Sequence, residues 1–423
     1  MSRQYDFVIY GASGFTGQFV VEEMARVTRD SNYRWAVAGR NEAKLQKTLT
    51  ESGQTVDMDL SSIPIILADA SDEQSLDAMA NQAKVVLNCV GPYRLYGEAV
   101  VKACVENGTS HVDISGEPIF LESMQAKYHD KAKANGCYVV GACGFDSIPA
   151  DLGVHFTRTN FKGDLNAVET VVQLNAGPHG YKINAGTYQT IVLSLANKDD
   201  LRSIRKEIMP DRLPNVTPKL APRGVLFNYQ KLRAWCFPFL GSDKSVVTRS
   251  MYYNLHEKKE RSFQVQCYAR AASLFWAVCT VLWGALLGLM SQCSFTRNFL
   301  HNYPEICSFG FFSSKGPSRA QANSSGFTYW FFGRGWSNKL PDTTSEHEDA
   351  PDQEIIVRCD GTDAAYNATS TCLVASALTI REDQEHLPSS GGVYTPAVAF
   401  GHTNLLKRLE KRNITFKVVD SAE

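Results

Sequence analysis

Apolar positions Phe7, Val8 and Ile9 form a short run unbroken by charge, and glycines follow at 11, 14 and 17. Such a run fits a central parallel strand buried on both faces, and the spacing beyond it predicts a helix over 15–26. The alternation recurs. Strands are expected over 33–38, 63–68, 84–90, 110–114 and 137–142, and helices over 97–107 and 117–135, with an amphipathic helix around Lys44 and Leu45. Strand and helix alternating at this length require a parallel sheet with right-handed crossovers, so residues 1–145 are expected to form one doubly wound Rossmann domain.

The glycine loop then acquires a chemical reading. Gly11 ends the strand where positive φ is needed, Gly14 removes a Cβ where a phosphate approaches, and Gly17 lets the helix lie close on the sheet. Ser13 and Thr16 add hydroxyls beside Phe15 at the helix N-terminus, where unpaired N–H groups and the dipole favour a pyrophosphate. A tight turn holding no ligand is the plainer alternative. The second strand stops at Gly39-Arg40-Asn41, and a binder of NAD usually places an acidic residue there. Arg40 suits a 2′-phosphate instead, so NADP(H) is expected over NAD(H). A solvated surface arginine is the other reading. Asp69, after the third strand, is a candidate for the adenine or for the start of the next helix. Asn88 and Gly91 lie in the turn after the fourth strand, at the carboxyl edge where doubly wound sheets bind ligands.

Several motifs in order carry a family resemblance: GASGFTG, AVAGR, LNCVGPY followed by YGE, DISGE at 113–117 and GFDSIPADLG at 144–153. GPHG at 177–180, PFLGSD at 238–243 and GGVYTPAVAFG at 391–401 extend it along the chain. The sequence resembles the saccharopine dehydrogenase family, most closely its animal branch of saccharopine dehydrogenase-like oxidoreductases. The resemblance implies a Rossmann domain, a mixed α/β domain over 146–395 for substrate or dimerisation, and a segment 396–423 returning to the first domain. It also points to lipid droplets. A bacterial branch associated with enoyl reduction in glycolipid synthesis leans toward lipid chemistry.

Composition narrows the setting. A net charge of −1 indicates no polyanionic partner, so no nucleic acid is expected. The eleven cysteines are scattered without CxxC or zinc spacing, which reads as a reducing compartment and no metal. With the first strand beginning at residue 5, no cleavable signal peptide is expected. The polar loop 338–352 reads as disordered. Residues 271–290, AASLFWAVCTVLWGALLGLM, hold no charge. As a helix the segment would be roughly 30 Å long, enough for a bilayer core. Its large side chains occupy the whole circumference, whereas soluble helices keep a polar face. A buried core helix is the alternative. A single crossing would separate the strand at 354–359 and the helix at 364–380 from the second domain they are expected to complete. Monotopic insertion is therefore the preferred topology, with 299–312 as a second apolar stretch at the interface. The expected location is the cytosolic face of the endoplasmic reticulum or a lipid droplet.

The chemistry is less legible. No tyrosine has a lysine four residues later, no GxSxG occurs, and the histidines, His111 and His155 among them, do not cluster. Catalytic candidates come from the carboxyl ends of later strands: Asp113, Glu117 and Asp146. Helix capping is the alternative for Glu117 and, before Ser147-Ile148-Pro149, the favoured one for Asp146. The leading expectation is an NADP(H)-dependent oxidoreductase at a membrane or lipid droplet, acting on a lipid or other small-molecule substrate, with a homodimer left open. Saccharopine-type imine chemistry and a catalytically silent nucleotide-binding scaffold are the alternatives.

Overall fold

Phe7, Val8 and Ile9 lose all solvent exposure because β1 (Tyr5–Tyr10) pairs in parallel with a strand on each side. The computed structural model describes residues 3–196 and 201–422, which divide into two units. The first begins with β1, α1 (Phe15–Thr28), β2 (Trp35–Gly39), α2 (Glu42–Val56), β3 (Ile65–Leu67), α3 (Glu73–Gln82), β4 (Ala83–Asn88), α4 (Tyr93–Glu106), β5 (Ser110–Asp113), α5 (Pro118–Ala134) and β6 (Tyr138–Val140). Strands β1 to β6 stand in the order 6-5-4-1-2-3, the doubly wound arrangement expected. All their pairings are parallel, so the loops after them gather at one carboxyl edge.

The second unit spans residues 147–364 and 413–423. It runs through α6 (Ile148–Asn160), β7 (Asp164–Asn175), β8 (Ile183–Asn184), α7 (Ala185–Ala196), α8 (Leu201–Ile208), β9 (Phe227–Tyr229), β10 (Ala234–Pro238), α9 (Asp243–Glu257) and β11 (Gln264–Arg270). It continues with α10 (Leu274–Gln292), α11 (Ser294–Asn302), α12 (Pro304–Cys307), β12 (Phe312–Ser313), α13 (Arg319–Ser324), β13 (Gly326–Trp336) and β14 (Gln353–Thr362). Its main sheet is mixed, with β7 parallel to β11 and antiparallel to β13. Helix α6 lies directly on this sheet because Gly153 has no side chain: a Cβ there would fall 2.0 Å from the Phe331 ring.

The chain then returns to the first unit as α14 (Thr369–Glu382), β15 (Gly392–Tyr394), α15 (Pro396–Phe400) and α16 (Leu405–Glu410), and ends in the second with β16 (Thr415–Val419). This differs from the expected division in both directions. Residues 365–395, assigned from the sequence to the second domain, belong to the first, where β15 extends the sheet beside β6. Residues 413–423 complete the second sheet, with β16 on β14. The reason lies in α14, which buries nearly every side chain and needs partners all round; within its own unit it packs on α1, β4 and β5. The loop expected to be disordered is also tied down. Trp336 donates its indole N–H to the Asp349 carbonyl (2.8 Å) and stacks on His347, whose Nε2 lies 3.0 Å from Asp164, while Arg261 donates to the Ser345 carbonyl (2.7 Å).

The apolar run forms α10, and its circumference is divided. Ala277, Leu287 and Ser291 are buried. Leu287 belongs to a small core with Tyr188, Val192, Leu300 and Phe312, into which Trp283 packs, its indole N–H donating to the Cys307 carbonyl (2.8 Å). The other side carries Leu274, Phe275, Val278, Leu282, Leu286 and Leu289 outward along the full length, Phe275 at 67% and Leu289 at 74% exposure. Phe295 in α11, Ile306 in α12 and Phe309 just beyond it continue the apolar surface, the last 91% exposed.

Candidate functional site

At the end of β1 the chain turns through Gly11 at φ 84°, a conformation L side chains rarely adopt. A Cβ there would stand 2.6 Å from Val90 in the neighbouring turn, and one on Gly17 would stand 2.2 Å from the Gly11 carbonyl oxygen. These two glycines therefore bring helix, loop and adjacent turn together. Gly14 differs: a Cβ would meet only the Gly11 oxygen, at 3.1 Å, and the residue faces solvent at the N-cap of α1. No side chain caps this terminus and its first turn holds no acidic residue. Half-buried Ser13, Phe15 and Thr16 flank it, with Phe15 braced edge-on against Tyr366, centroids 4.8 Å apart. An open N-terminus with no competing carboxylate fits a pyrophosphate through its N–H groups and dipole.

Arg40 is exposed at the end of β2. Asp69, at the neighbouring carboxyl end, accepts from the Ser71 N–H (2.9 Å) and hydroxyl (2.7 Å). Those bonds, with the Arg40 charge adding to them, hold Asp69 below the usual carboxylate range. Asp72, not Asp69, caps α3. Burial pushes the Tyr10 phenol, between these charges, up to about 12. The structure thus sets an exposed cation at the end of β2, where a 2′-phosphate would be read.

The turn after β4 places its residues differently. Gly91 is exposed, but Asn88 is buried beneath it, with Oδ1 accepting the Val90 N–H (3.0 Å) and Nδ2 lying 3.3 Å from His111 Nε2. Because the Val90 bond fixes the amide orientation, Nδ2 donates, His111 accepts at Nε2, and the ring proton sits on Nδ1. That nitrogen points toward Asp113 Oδ2 at 3.8 Å. Burial pushes the His111 pKa down to about 3, keeping the ring neutral, and pushes Asp113 up to about 7. Asp113 also accepts the N–H groups of Ser115 (2.9 Å) and Ala142 (3.1 Å), tying the turns after β5 and β6 together.

Glu117 does not cap its own helix. Its carboxylate accepts the Tyr93 (2.8 Å) and Arg94 (3.2 Å) N–H groups at the start of α4, and Arg94 Nε lies 3.6 Å away. Burial raises its pKa against these bonds. It is a cap borrowed from another helix, which a sequence scan restricted to neighbouring residues does not find. Ser147 holds the N-cap position of α6. Asp146 is half-buried beside Gly116, where a Cβ would fall 2.3 Å from its Oδ2. Of the three carboxylates, Glu117 and Asp113 are enclosed and bonded to backbone, and Asp146 is the least buried. Sequence reasoning expected a helix at 364–380 but assigned it to the second domain, and so missed that Tyr366 and α14 pack beside α1. The available signal was a stretch of Thr, Ser, Cys and Ala from 369 to 379 with no charged face. Among the described residues no group of His, Cys, Asp and Glu is arranged to hold a metal.

Residues 7–140 match the model of the saccharopine dehydrogenase NADP binding domain. The chain is 48% identical over 422 residues to a Caenorhabditis elegans protein named lipid droplet localized protein, covering 99% of each. It is 41% identical over 427 residues to human saccharopine dehydrogenase-like oxidoreductase, covering 100% of this chain and 99% of the relative. Among solved structures, apo saccharopine dehydrogenase (L-Glu forming) from Saccharomyces cerevisiae matches with a TM-score of 0.55 at 13% identity, covering 98% of this chain and 100% of that one. At that identity the likeness speaks for the fold.

Proposed function

The chain belongs to the saccharopine dehydrogenase-like oxidoreductase family and takes NADP(H), and from that premise we propose that it works seated on a lipid surface, oxidising or reducing a lipid or lipid-linked substrate. The nucleotide supplies or accepts the hydride. The open N-terminus of α1 would hold its pyrophosphate and Arg40 its 2′-phosphate, while Asp146 is the carboxylate best placed by exposure to serve proton transfer.

One observation carries the reading. Helix α10, with a mean hydropathy of 1.9, turns a full-length stripe of large apolar side chains outward, and α11 and α12 extend that surface. At ~25 cal/mol per Å² of apolar area, leaving such a stripe in water costs several kcal/mol that a lipid phase would return. The opposite side of α10 is committed to packing with α7, α11 and β12, so the helix suits monotopic seating rather than a lone crossing. The lipid-droplet name of the Caenorhabditis elegans relative agrees. We place the protein on the cytosolic face of the endoplasmic reticulum or of lipid droplets.

Full-length protein incubated with droplets coated in phospholipid, in the absence of detergent, is expected to float with them, and NADPH consumption is expected to require a lipid extract carried by the droplets. Flotation without any lipid-dependent consumption would leave a nucleotide-binding scaffold. Consumption with saccharopine-type amino acids and none with lipid would replace the lipid substrate.

A further inference from the structure

We propose that the second unit holds a binding pocket of its own, built without any residue of the nucleotide edge, in which Arg334 receives the carboxylate of a small polar monocarboxylic acid. Phe331 faces Gly153 of α6, so its neighbours along β13, Phe332 and then Arg334 two residues on, project from the opposite face of the sheet. Phe332 pairs with Glu169, and Arg334 with Ala167 on one side and Glu354 on the other, which gathers these side chains at one end of that face. A cavity of about 370 Å³ lies between them and the overlying residues Leu220, Arg223 and Asn228 to Lys231. Pockets for small molecules run from about 300 to 1,000 Å³.

The charges in the lining are paired except for one. Arg223 donates to Glu169 from Nε at 2.7 Å and from Nη2 at 3.0 Å, and Lys231 Nζ donates to Glu354 at 2.7 Å. That leaves Arg334. Its Nε donates to Asn166 Oδ1 at 3.3 Å, and among the described residues no carboxylate pairs with its guanidinium. The holding residue is itself fixed. The register of β7 against β13 shifts between Arg334 and Gly335, which makes Asn166 the extra residue of a bulge, and bulges re-aim side chains. Asn166 is fully buried, and its Nδ2 donates to the Thr217 and Pro218 carbonyls, both at 3.1 Å, so Oδ1 is the atom turned to Arg334. The half-buried guanidinium is thus held at Nε while both terminal nitrogens keep their N–H groups for a ligand.

A planar guanidinium open at both terminal nitrogens takes a carboxylate or a phosphate through two parallel N–H···O bonds. Charge decides between them. Arg223, Lys231 and Arg334 against Glu169 and Glu354 leave one positive charge in the lining. A carboxylate neutralises it, whereas a phosphate monoester, at about −1.5 to −2, overshoots. Exposed Asn228 and Gln230 add amides at the rim for hydroxyl or carbonyl groups on the rest of the acid.

The test titrates full-length protein, saturated with NADPH, with 3-hydroxybutyrate, its neutral methyl ester and glycerol 3-phosphate, followed by saturation-transfer NMR. The acid should bind in the millimolar range or tighter and the ester should not. R334Q should weaken the acid by roughly 10- to 100-fold with NADPH binding unchanged, and R334K, which keeps the charge without the fork, should lose most of that as well. Equal affinity in wild type and R334Q, or no saturation by the acid at tens of millimolar, would overturn the proposal. Tighter binding of glycerol 3-phosphate would overturn the choice of a carboxylate. A measurement on wild type alone decides the matter if the variants fold poorly: the acid should protect Arg334 from phenylglyoxal, read by mass spectrometry of its peptide, and an unchanged labelling rate would contradict the assignment.

Discussion

Two helices of this molecule bury opposite things. Helix α14 is buried nearly all round, yet its interior-facing residues are small or weakly polar: Ser370, Thr371, Cys372, Ala375, Ser376 and Ala377 beside Leu373 and Val374. Helix α10 is far more apolar, and half of its surface is open. If apolarity alone decided burial, the two would have changed places. Close approach to α1 and the sheet demands small side chains on α14, because interiors are packed to near-crystalline density. The large outward side chains of α10 meet no such packing demand among the described residues, and the lipid surface proposed above would cover them without a fixed shape. Side-chain size, more than hydropathy, separates the fully buried helix from the one with an exposed apolar side here.

Exchanging the properties of the two helices sharpens this contrast. Replacing Leu282, Leu286 and Leu289 of α10 by serine removes three exposed leucines, each worth about 1.5–3 kcal/mol on burial. Droplet affinity should fall by on the order of 5 kcal/mol or more, with the thermal midpoint unchanged or raised. A lowered midpoint with unaltered flotation would show that α10 faces protein. The mirror change, Ala377→Leu in α14, inserts a branched side chain into a fully buried site and should destabilise the first unit by about 1–3 kcal/mol. Chemical denaturation measures it, and flotation of the folded fraction should be unaffected.

Charge extends the contrast to the nucleotide edge. Arg40 is exposed, and Arg40→Asp should cost NADPH binding about 1–2 kcal/mol while NADH binding is unchanged or improved. Calorimetric titration of both cofactors checks this, and equal wild-type affinities would remove the assignment. Asp113 is the buried counterpart. Its folded pKa, about 7, lies above the unfolded value, so the folded chain binds the extra proton. That contribution to stability is fully present below about pH 4 and is lost as the pH rises through about 7. Asp113→Asn should flatten that decline, a slope of at most about 1.4 kcal/mol per pH unit, seen in denaturation midpoints across that range.

What could be read from the sequence follows the range of the interactions. The strand-turn-helix at Phe7–Gly17, the arginine at the end of β2 and the apolar run are local patterns, and the elements appear within a few residues of their expected positions. The assignment of α14 and β15 to the first unit was not legible, because their partners lie more than two hundred residues earlier and composition carries no address. Glu117 was expected at its own helix or in catalysis, and it caps α4 from 24 residues away. The polar loop before β14 looked disordered because Arg261 and Asp164, which hold it, lie far from it in the sequence. Circumferential apolarity in α10 was legible, but only the structure divides it into a protein-facing and an outward half.

The most direct test of the account compares NADPH consumption by wild type and the Leu282→Ser, Leu286→Ser, Leu289→Ser variant, with a lipid extract carried on phospholipid-coated droplets. An oxidoreductase that works while seated on lipid should consume NADPH with the extract present, and the variant should lose most of that rate while binding NADPH as tightly as wild type. Equal rates from the two proteins, or a wild-type rate that ignores the extract, would contradict it.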